Sequence, residues 1–308
     1  MKRLLAAVLW ENFGETRMDQ DISSSQNPAV KGRPSTDKLF ERISSIDHLP
    51  TLPVLVRTAL AYLDDPDVSM TRLARIIEED QSMAARILKV ANSPYYARSG
   101  KIGMIREAIL LLGLNGIRGL ILSMSVLQLV SNREGVVKLW RHSFAVSILS
   151  RILGENLAVG QPEDLATAGL LHDFGKVIYY LDFEPWIPDL WHKDPGIPDW
   201  RFEEDLFGAS HAFVGFRLAY FWHFPSSIRV PIGWHNNPSK SPSYQLETAI
   251  IALADGLATL AGFGLEESPC PESTMFDALR SLDLTDKQLE VVLERLMENL
   301  PKLEAPDF

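Results

Sequence analysis

Gly169-Leu170-Leu171-His172-Asp173-Phe174-Gly175-Lys176 is the stretch on which the reading of this chain turns. An imidazole and a carboxylate stand side by side at the end of an apolar run, with a glycine and a lysine inside the next turn. Adjacent residues on a helix point about 100° apart, so His172 and Asp173 can serve one ligand only where the helix ends. Two readings of the pair are open. It can be a partly buried helix cap, or one corner of a metal site whose other ligands come from other helices. The rest of the chain has to decide.

The totals bound the answer. At 308 residues the chain has room for one large domain or two smaller ones. Apolar residues make up 46% and charged residues 23%, an ordinary globular balance with ample material for a core. A net charge of −10 and a pI near 5.2 argue against a main business of gripping nucleic acid and suit a soluble cytoplasmic protein. Cys270 is the only cysteine, which excludes an intrachain disulfide and a thiolate-rich metal site. Any metal must then be held by nitrogen and oxygen. The start, Met1-Lys2-Arg3-Leu4-Leu5, has the charged opening of a signal peptide but no small-residue cleavage site after it. It reads as a short amphipathic or frayed tail. No later segment reads as an uninterrupted membrane span.

Upstream of the motif, residues 1–35 read as a flexible tail ending in a Ser, Asn, Pro and Gly rich run. Residues 36–130 read as an N-terminal helical half. Leu39, Phe40 and Ile43 recur at helical spacing before Leu49-Pro50-Thr51-Leu52-Pro53. Helices follow over 54–63, around Leu73 to Ile77 with Ser69 or Thr71 as cap, and around Ala84 to Ala91, stopped by Asn92-Ser93-Pro94. Two apolar helices, 105–112 and 117–130, are separated by Gly113 to Gly116. This turn raises the question of a DNA-reading helix pair. The second helix carries Arg118 as its single charge, and a recognition helix needs several polar side chains, so DNA is an unfavoured partner.

Residues 131–264 change character. A long helix runs from about Leu139 to Leu157, and the next, Leu165 to His172, delivers the opening motif. The stretch 182–199 is rich in Trp, Pro and Asp and reads as an irregular surface excursion. Helices then begin at His211, end at His235, and span Thr248 to Ala261 with the lone charge Asp255. Residues 265–308 read as a C-terminal helical extension whose last helix is capped by Thr285 with Gln288. Strand signals are weak, so the expected fold is all-α.

Taken singly, His142, His172, Asp173, His211, His235 and Asp255 each have a plain explanation as hydrogen-bonded core residues. Their order is less easily explained so: His, His-Asp, His, His, Asp, each on its own helix. A bundle that turns them inward can bind one or two divalent ions, with a carboxylate and a water bridging a pair. Such ions acidify the water and make it a nucleophile for a phosphoester. The donor set does not separate Fe, Mn, Mg, Ni and Zn.

This series resembles the HD superfamily of metal-dependent phosphohydrolases. The phrases Leu49-Pro50-Thr51-Leu52-Pro53, Ile87-Leu88-Lys89-Val90-Ala91-Asn92-Ser93 and Ala108-Ile109-Leu110-Leu111-Leu112-Gly113 resemble its HDOD branch, over roughly Leu39 to Gly262. The resemblance implies a multi-helical fold, with an N-terminal helical subdomain packed on an HD-like bundle, and a role in bacterial signalling. It also implies His142 as the first metal ligand, His172 and Asp173 as the doublet, Asp173 as the bridge, and Asp255 as the closing ligand. Lys176 matches a phosphate-approaching lysine. His211 and His235 match histidines that complete a binuclear site in the branch that cleaves cyclic di-GMP. That branch has a second histidine where this chain has Asn236, and a Gly-Tyr-Pro phrase that is absent here, so cyclic di-GMP hydrolysis is disfavoured. The expected function is a regulatory module acting through a protein partner or a small signalling nucleotide. The alternative is a metal-dependent phosphohydrolase with Asp173 and Lys176 as catalytic groups.

Overall fold

The computed structural model describes residues 53–96, 101–129, 136–182, 199–264, 272–303 and 305–306. The expected tail, the segment around Leu39 and nearly all of the Trp- and Pro-rich stretch lie outside them. The described residues form helices and no strand. In chain order these are α1 (Val54–Leu63), α2 (Met70–Glu78), α3 (Gln81–Ala91), α4 (Ile105–Leu129), α5 (Val136–Leu157), α6 (Pro162–Leu171) and α7 (Lys176–Asp182). After the undescribed stretch come α8 (Asp199–Phe207), α9 (His211–Phe221), α10 (Ser226–Trp234), α11 (Gln245–Ala258), α12 (Glu272–Leu282) and α13 (Asp286–Asn299).

Local chemistry sets the ends of several of these. Asp80 caps α3 by accepting from the amides of Ser82 and Met83 at 2.9 and 3.0 Å. Ser69 takes the cap position of α2 but makes no side-chain capping bond. Asn92 ends α3 and ties the following loop back: its amide donates to the carbonyls of Leu88 and Ile102 and accepts from the Ile102 amide, each at 2.8 Å. The expected break between the two apolar helices is real but narrow. The segments run as one element, kinked at Gly113 with φ 73° and ψ 166°, where a side chain would be strained. Thr285 and Gln288 form the reciprocal capping box at the head of α13. α12 is the first helix of the C-terminal extension. Its sequence, Glu-Ser-Thr-Met-Phe-Asp-Ala-Leu-Arg-Ser-Leu, buries a single stripe of Met275, Ala278 and Leu279.

The centre of the molecule is the α5–α6 pair, with α11 against α5. From Leu139 to Gly154, α5 is buried apart from Arg141. A helix apolar on every side belongs in the middle of a bundle. The same property lets two stretches, Ile105–Ser125 and Gln245–Phe263, reach the length and hydropathy of a membrane span, which the sequence reading did not expect. They are 67% and 56% buried inside the protein, which accounts for their apolar surface without a bilayer.

α4 joins the two halves, touching α2 and α3 on one side and α6 on the other. The solitary charge of its second segment has a structural purpose. Arg118 donates to Asp64 Oδ1 at 2.7 Å and to the Trp222 carbonyl at 3.0 Å, linking the end of α1 to the end of α9. His223 Nδ1 lies 2.8 Å from Asp64 Oδ2 and completes the clasp. Partial burial of Asp64 works against its charge, but His223 and then Arg118 outweigh it, so its pKa falls below 3.8. A depressed carboxylate adds stability above its unfolded pKa and loses it as pH falls through the folded value. Asp64→Asn should therefore cost about 1 kcal/mol at pH 7, a buried charged hydrogen bond discounted for the exposure of Asp64. Urea denaturation should show the gap between the variant and the parent closing below about pH 4.

Candidate metal centre

The opening motif ends α6 and begins α7. His172 is the C-cap of α6, and its Nδ1 lies 2.8 Å from the carbonyl of Gly169, three residues back. His235 repeats the device at the end of α10, with Nδ1 2.8 Å from the carbonyl of Ile232. His142, in the second turn of α5, places Nδ1 3.0 Å from the Phe263 carbonyl. That carbonyl is carried by a π-helical turn, Thr259–Phe263, which contains Gly262 at φ 89°. His211 opens α9, and its Nδ1 lies 2.6 Å from Glu203 Oε2. Each of the four rings thus gives its Nδ1 proton to an oxygen, which leaves Nε2 as its inward atom.

The four Nε2 atoms meet in two pairs. His142 and His172 stand 3.3 Å apart, and His211 and His235 also 3.3 Å. Two imidazole nitrogens at that separation suit a shared proton or a metal ion between or beside them. Asp173 spans the pairs. Oδ2 lies 3.6 Å from His142 Nε2 and 3.5 Å from His172 Nε2, while Oδ1 lies 3.1 Å from His211 Nε2. Asp255 Oδ1 closes the first group, 3.2 Å from His142 Nε2 and 4.0 Å from His172 Nε2. An ion with bonds of about 2.1 Å puts neighbouring ligand atoms about 3.0–3.4 Å apart, so most of these separations suit shared coordination. Three overlapping groups could hold a metal: His142, His172 and Asp173; His172, His235 and Asp255; and Asp173, His211 and His235.

The electrostatics are those of a site built for positive charge. Burial would raise Asp173, but Lys176 and the histidines, His172 first, hold it well below 3.8. Burial would also raise Asp255, yet the His142 hydrogen bond and charge bring it to about 2. Burial lowers His172 and, reinforced by His172 and His211, takes His235 to about 3, so both stay neutral. His211 goes the other way. Burial opposes its charge, but Glu203 and then Asp173 lift it to about 9. Lys176 is raised despite burial, chiefly by Asp173, whose Oδ2 its ammonium meets at 2.8 Å. Asp255 and Lys176 are the exposed edge, with side chains 19% and 16% accessible, while His142, His172, Asp173 and His211 show 4% or less.

All six residues expected as ligands are therefore brought together, and Lys176 lies against them. Sequence reasoning missed Glu203, which fixes His211 through both its ring and its backbone amide, each at 2.6 Å. A signal was available: Glu203 falls four residues before Phe207 on the buried face of α8, where a carboxylate is out of place. Asn236, noted as a departure, puts Nδ2 3.2 Å from His211 Nε2.

The motif glycines make this convergence possible. A Cβ on Gly169 would lie 2.9 Å from the Val146 carbonyl and 2.8 Å from Ser150 Oγ, so its absence lets α6 close on α5. A Cβ on Gly175 would overlap the His211 carbonyl and lie 2.8 Å from the Gly215 amide nitrogen. The bare backbone there lets α9 carry His211 up to Asp173.

The chain belongs to the HDOD domain family, whose model matches residues 49–238. It is similar to an HDOD domain protein of unknown function from Geobacter sulfurreducens, 29% identical, with a TM-score of 0.65, covering 87% of this chain and 95% of that one. A candidate phosphohydrolase from Shewanella amazonensis SB2B is 22% identical with a TM-score of 0.65, over 85% and 94% of the two chains, and shares the fold. An uncharacterized protein of Treponema pallidum (strain Nichols) is 25% identical over 246 residues, 77% of this chain. The chain spans about half the length of that relative, 48%.

Gly175→Ala forces backbone against backbone, which no rotamer change relieves, so the cost should exceed about 3 kcal/mol. Thermal or urea unfolding should register it, and the Gly169→Ala loss should be smaller, because contacts of 2.8 Å to Ser150 Oγ and 2.9 Å to the Val146 carbonyl are less severe than the overlap at Gly175.

Proposed function

We propose that this chain is a regulatory HDOD module of a bacterial signalling system, and that its HD-type centre holds divalent metal and recognises a phosphorylated small ligand or a protein partner. The observation that carries this reading is the orientation of the four histidines. Every Nδ1 is committed to an oxygen and every Nε2 is aimed at the Asp173 carboxylate or at a second Nε2. In this reading His142, His172, Asp173 and Asp255 would hold one divalent ion, and Asp173, His211 and His235 could hold a second. The nitrogen and oxygen donor set suits iron, manganese, nickel or zinc. Lys176, held at the exposed edge by Asp173, contacts an incoming phosphate.

The alternative is a metal-dependent phosphohydrolase. One observation favours it: among the described residues the second half of the centre offers Asp173, His211 and His235, and three protein ligands leave coordination open, as in catalytic zinc sites. Bound divalent ions would supply Lewis acidity and activate water for attack on a phosphoester. The Shewanella relative, named a candidate phosphohydrolase, points the same way. Asn236 points against cyclic di-GMP as the substrate, since an amide replaces an imidazole there.

Protein purified without chelator should carry one to two equivalents of divalent metal by elemental analysis, and Asp173→Ala should lose most of it. Glu203→Gln should weaken retention about 10- to 100-fold in chelator competition, the usual effect of losing a carboxylate that orients a ligand histidine. A screen of cyclic and linear nucleotides with added Mn²⁺ should show no turnover above the Asp173→Ala blank. Turnover that Asp173→Ala abolishes would establish the hydrolase instead. No metal under iron, manganese, nickel or zinc loading would remove both readings.

A further inference from the structure

A second feature adjoins the centre. Between α8, α9 and α10 lies a cavity of about 230 Å³ walled by four aromatic side chains, Trp200, Phe213, Phe216 and Trp234. Phe216 and Trp234 meet edge to face, with ring centroids 5.2 Å apart. Polar groups of both signs complete the wall: the amides of Asn236 and Asn237, the ammonium of Lys240 and the carboxylate of Glu204. Asn236 belongs to both places, since its Nδ2 is also the group 3.2 Å from His211 Nε2. Trp200 closes the cavity from the α8 side. Its indole Nε1–H is fully buried and has no hydrogen-bond partner among the described residues.

Each wall narrows the occupant. Aromatic faces at this density bind another flat π-system or a quaternary ammonium ion. Lys240 places a positive charge at one part of the wall and Glu204 a carboxylate at another, so an anionic group seats beside Lys240 and hydrogen-bond donors of the ligand beside Glu204. The two asparagine amides each offer a donor and an acceptor, the complement of a nucleobase edge. The cavity lies below the roughly 300–1,000 Å³ usual for whole drug-sized ligands, so it takes one ring system and not a dinucleotide. We propose that this cavity is a nucleobase pocket, with the base among Trp200, Phe213, Phe216 and Trp234 and the phosphate of a mononucleotide toward Lys240. The inference rests on the proposed function in one respect, the coupling of the occupied pocket to the metal centre through Asn236.

The test is calorimetric titration of the full chain, purified without chelator, with AMP, GMP, ribose 5-phosphate and tetramethylammonium. One purine nucleotide should bind at least tenfold tighter than ribose 5-phosphate, and tetramethylammonium should not bind. Phe216→Ala should weaken nucleotide binding about tenfold or more, the usual loss of a base-stacking partner, and Lys240→Ala should weaken it while leaving metal content unchanged. Phe213→Ala, at an exposed position, gives the same readout should Phe216→Ala not fold. Equal binding of nucleotide and ribose 5-phosphate, binding of tetramethylammonium instead, or nucleotide affinity unmoved by these substitutions would overturn the pocket. Metal retained with no nucleotide bound removes the pocket and leaves the metal reading. Nucleotide bound in a Phe216-dependent way without metal keeps the pocket and removes the metal reading.

Discussion

Four imidazole rings each surrender one nitrogen to hold a helix end or a neighbouring carboxylate, and that one commitment fixes the direction of the other nitrogen. The arrangement at His172 and His235 is the simplest form. A histidine at the C-cap satisfies the carbonyl three residues back through Nδ1, one of the orphan acceptors every helix end leaves. The ring cannot do this without swinging Nε2 away from its own helix and toward the bundle axis. The two readings of the opening doublet are therefore not rivals. Capping is the means by which the helix end aims a ligand atom inward. Asp173, the next residue, follows the turn to the same axis and presents one oxygen to each pair of rings.

Much else in the fold follows from keeping those ends together. Ligand atoms within a few ångströms of one another demand backbones in close contact, and side chains on the wrong glycines would separate them. Gly169 admits α5, and Gly175 admits α9. Gly215 and Gly233 interlock α9 with α10: added Cβ atoms would meet Ile232 Cγ2 at 2.9 Å and the Phe216 Cβ at 3.0 Å. The helices bearing His142, Asp173, His211 and His235 thus stack with little between them. The side chains of the centre are thus held in place by the packing of the helices themselves.

The sequence made the six candidate ligands legible because each breaks an apolar pattern. Polar groups inside apolar helices need partners, and the only partners that so many histidines and aspartates share are one another or an ion. What it did not show were groups whose partners lie far along the chain in an ordinary-looking context. Glu203 stands beside Glu204, which is exposed, and only the helical register tells the buried carboxylate from the solvated one. Arg118 stood out as the one charge in its helix, but its partners, Asp64 and the Trp222 carbonyl, are 54 and 104 residues away. The hydropathy of α4 and α11 was readable and still ambiguous, because a bundle core and a bilayer reward the same composition.

Asn236 makes the relation between the centre and the neighbouring cavity specific. A ligand alters a site only through contacts that differ between the free and bound states. Asn236 lines the cavity and touches His211, whose charge is already poised between Glu203 on one side and Asp173 on the other. An amide turned toward a bound base would withdraw from His211 Nε2, and an amide held against the ring would leave the base edge unmet. An imidazole at this position would coordinate in its own right and could not make that exchange. Asn236 is therefore a single side chain placed against both the His211 ring and the cavity wall.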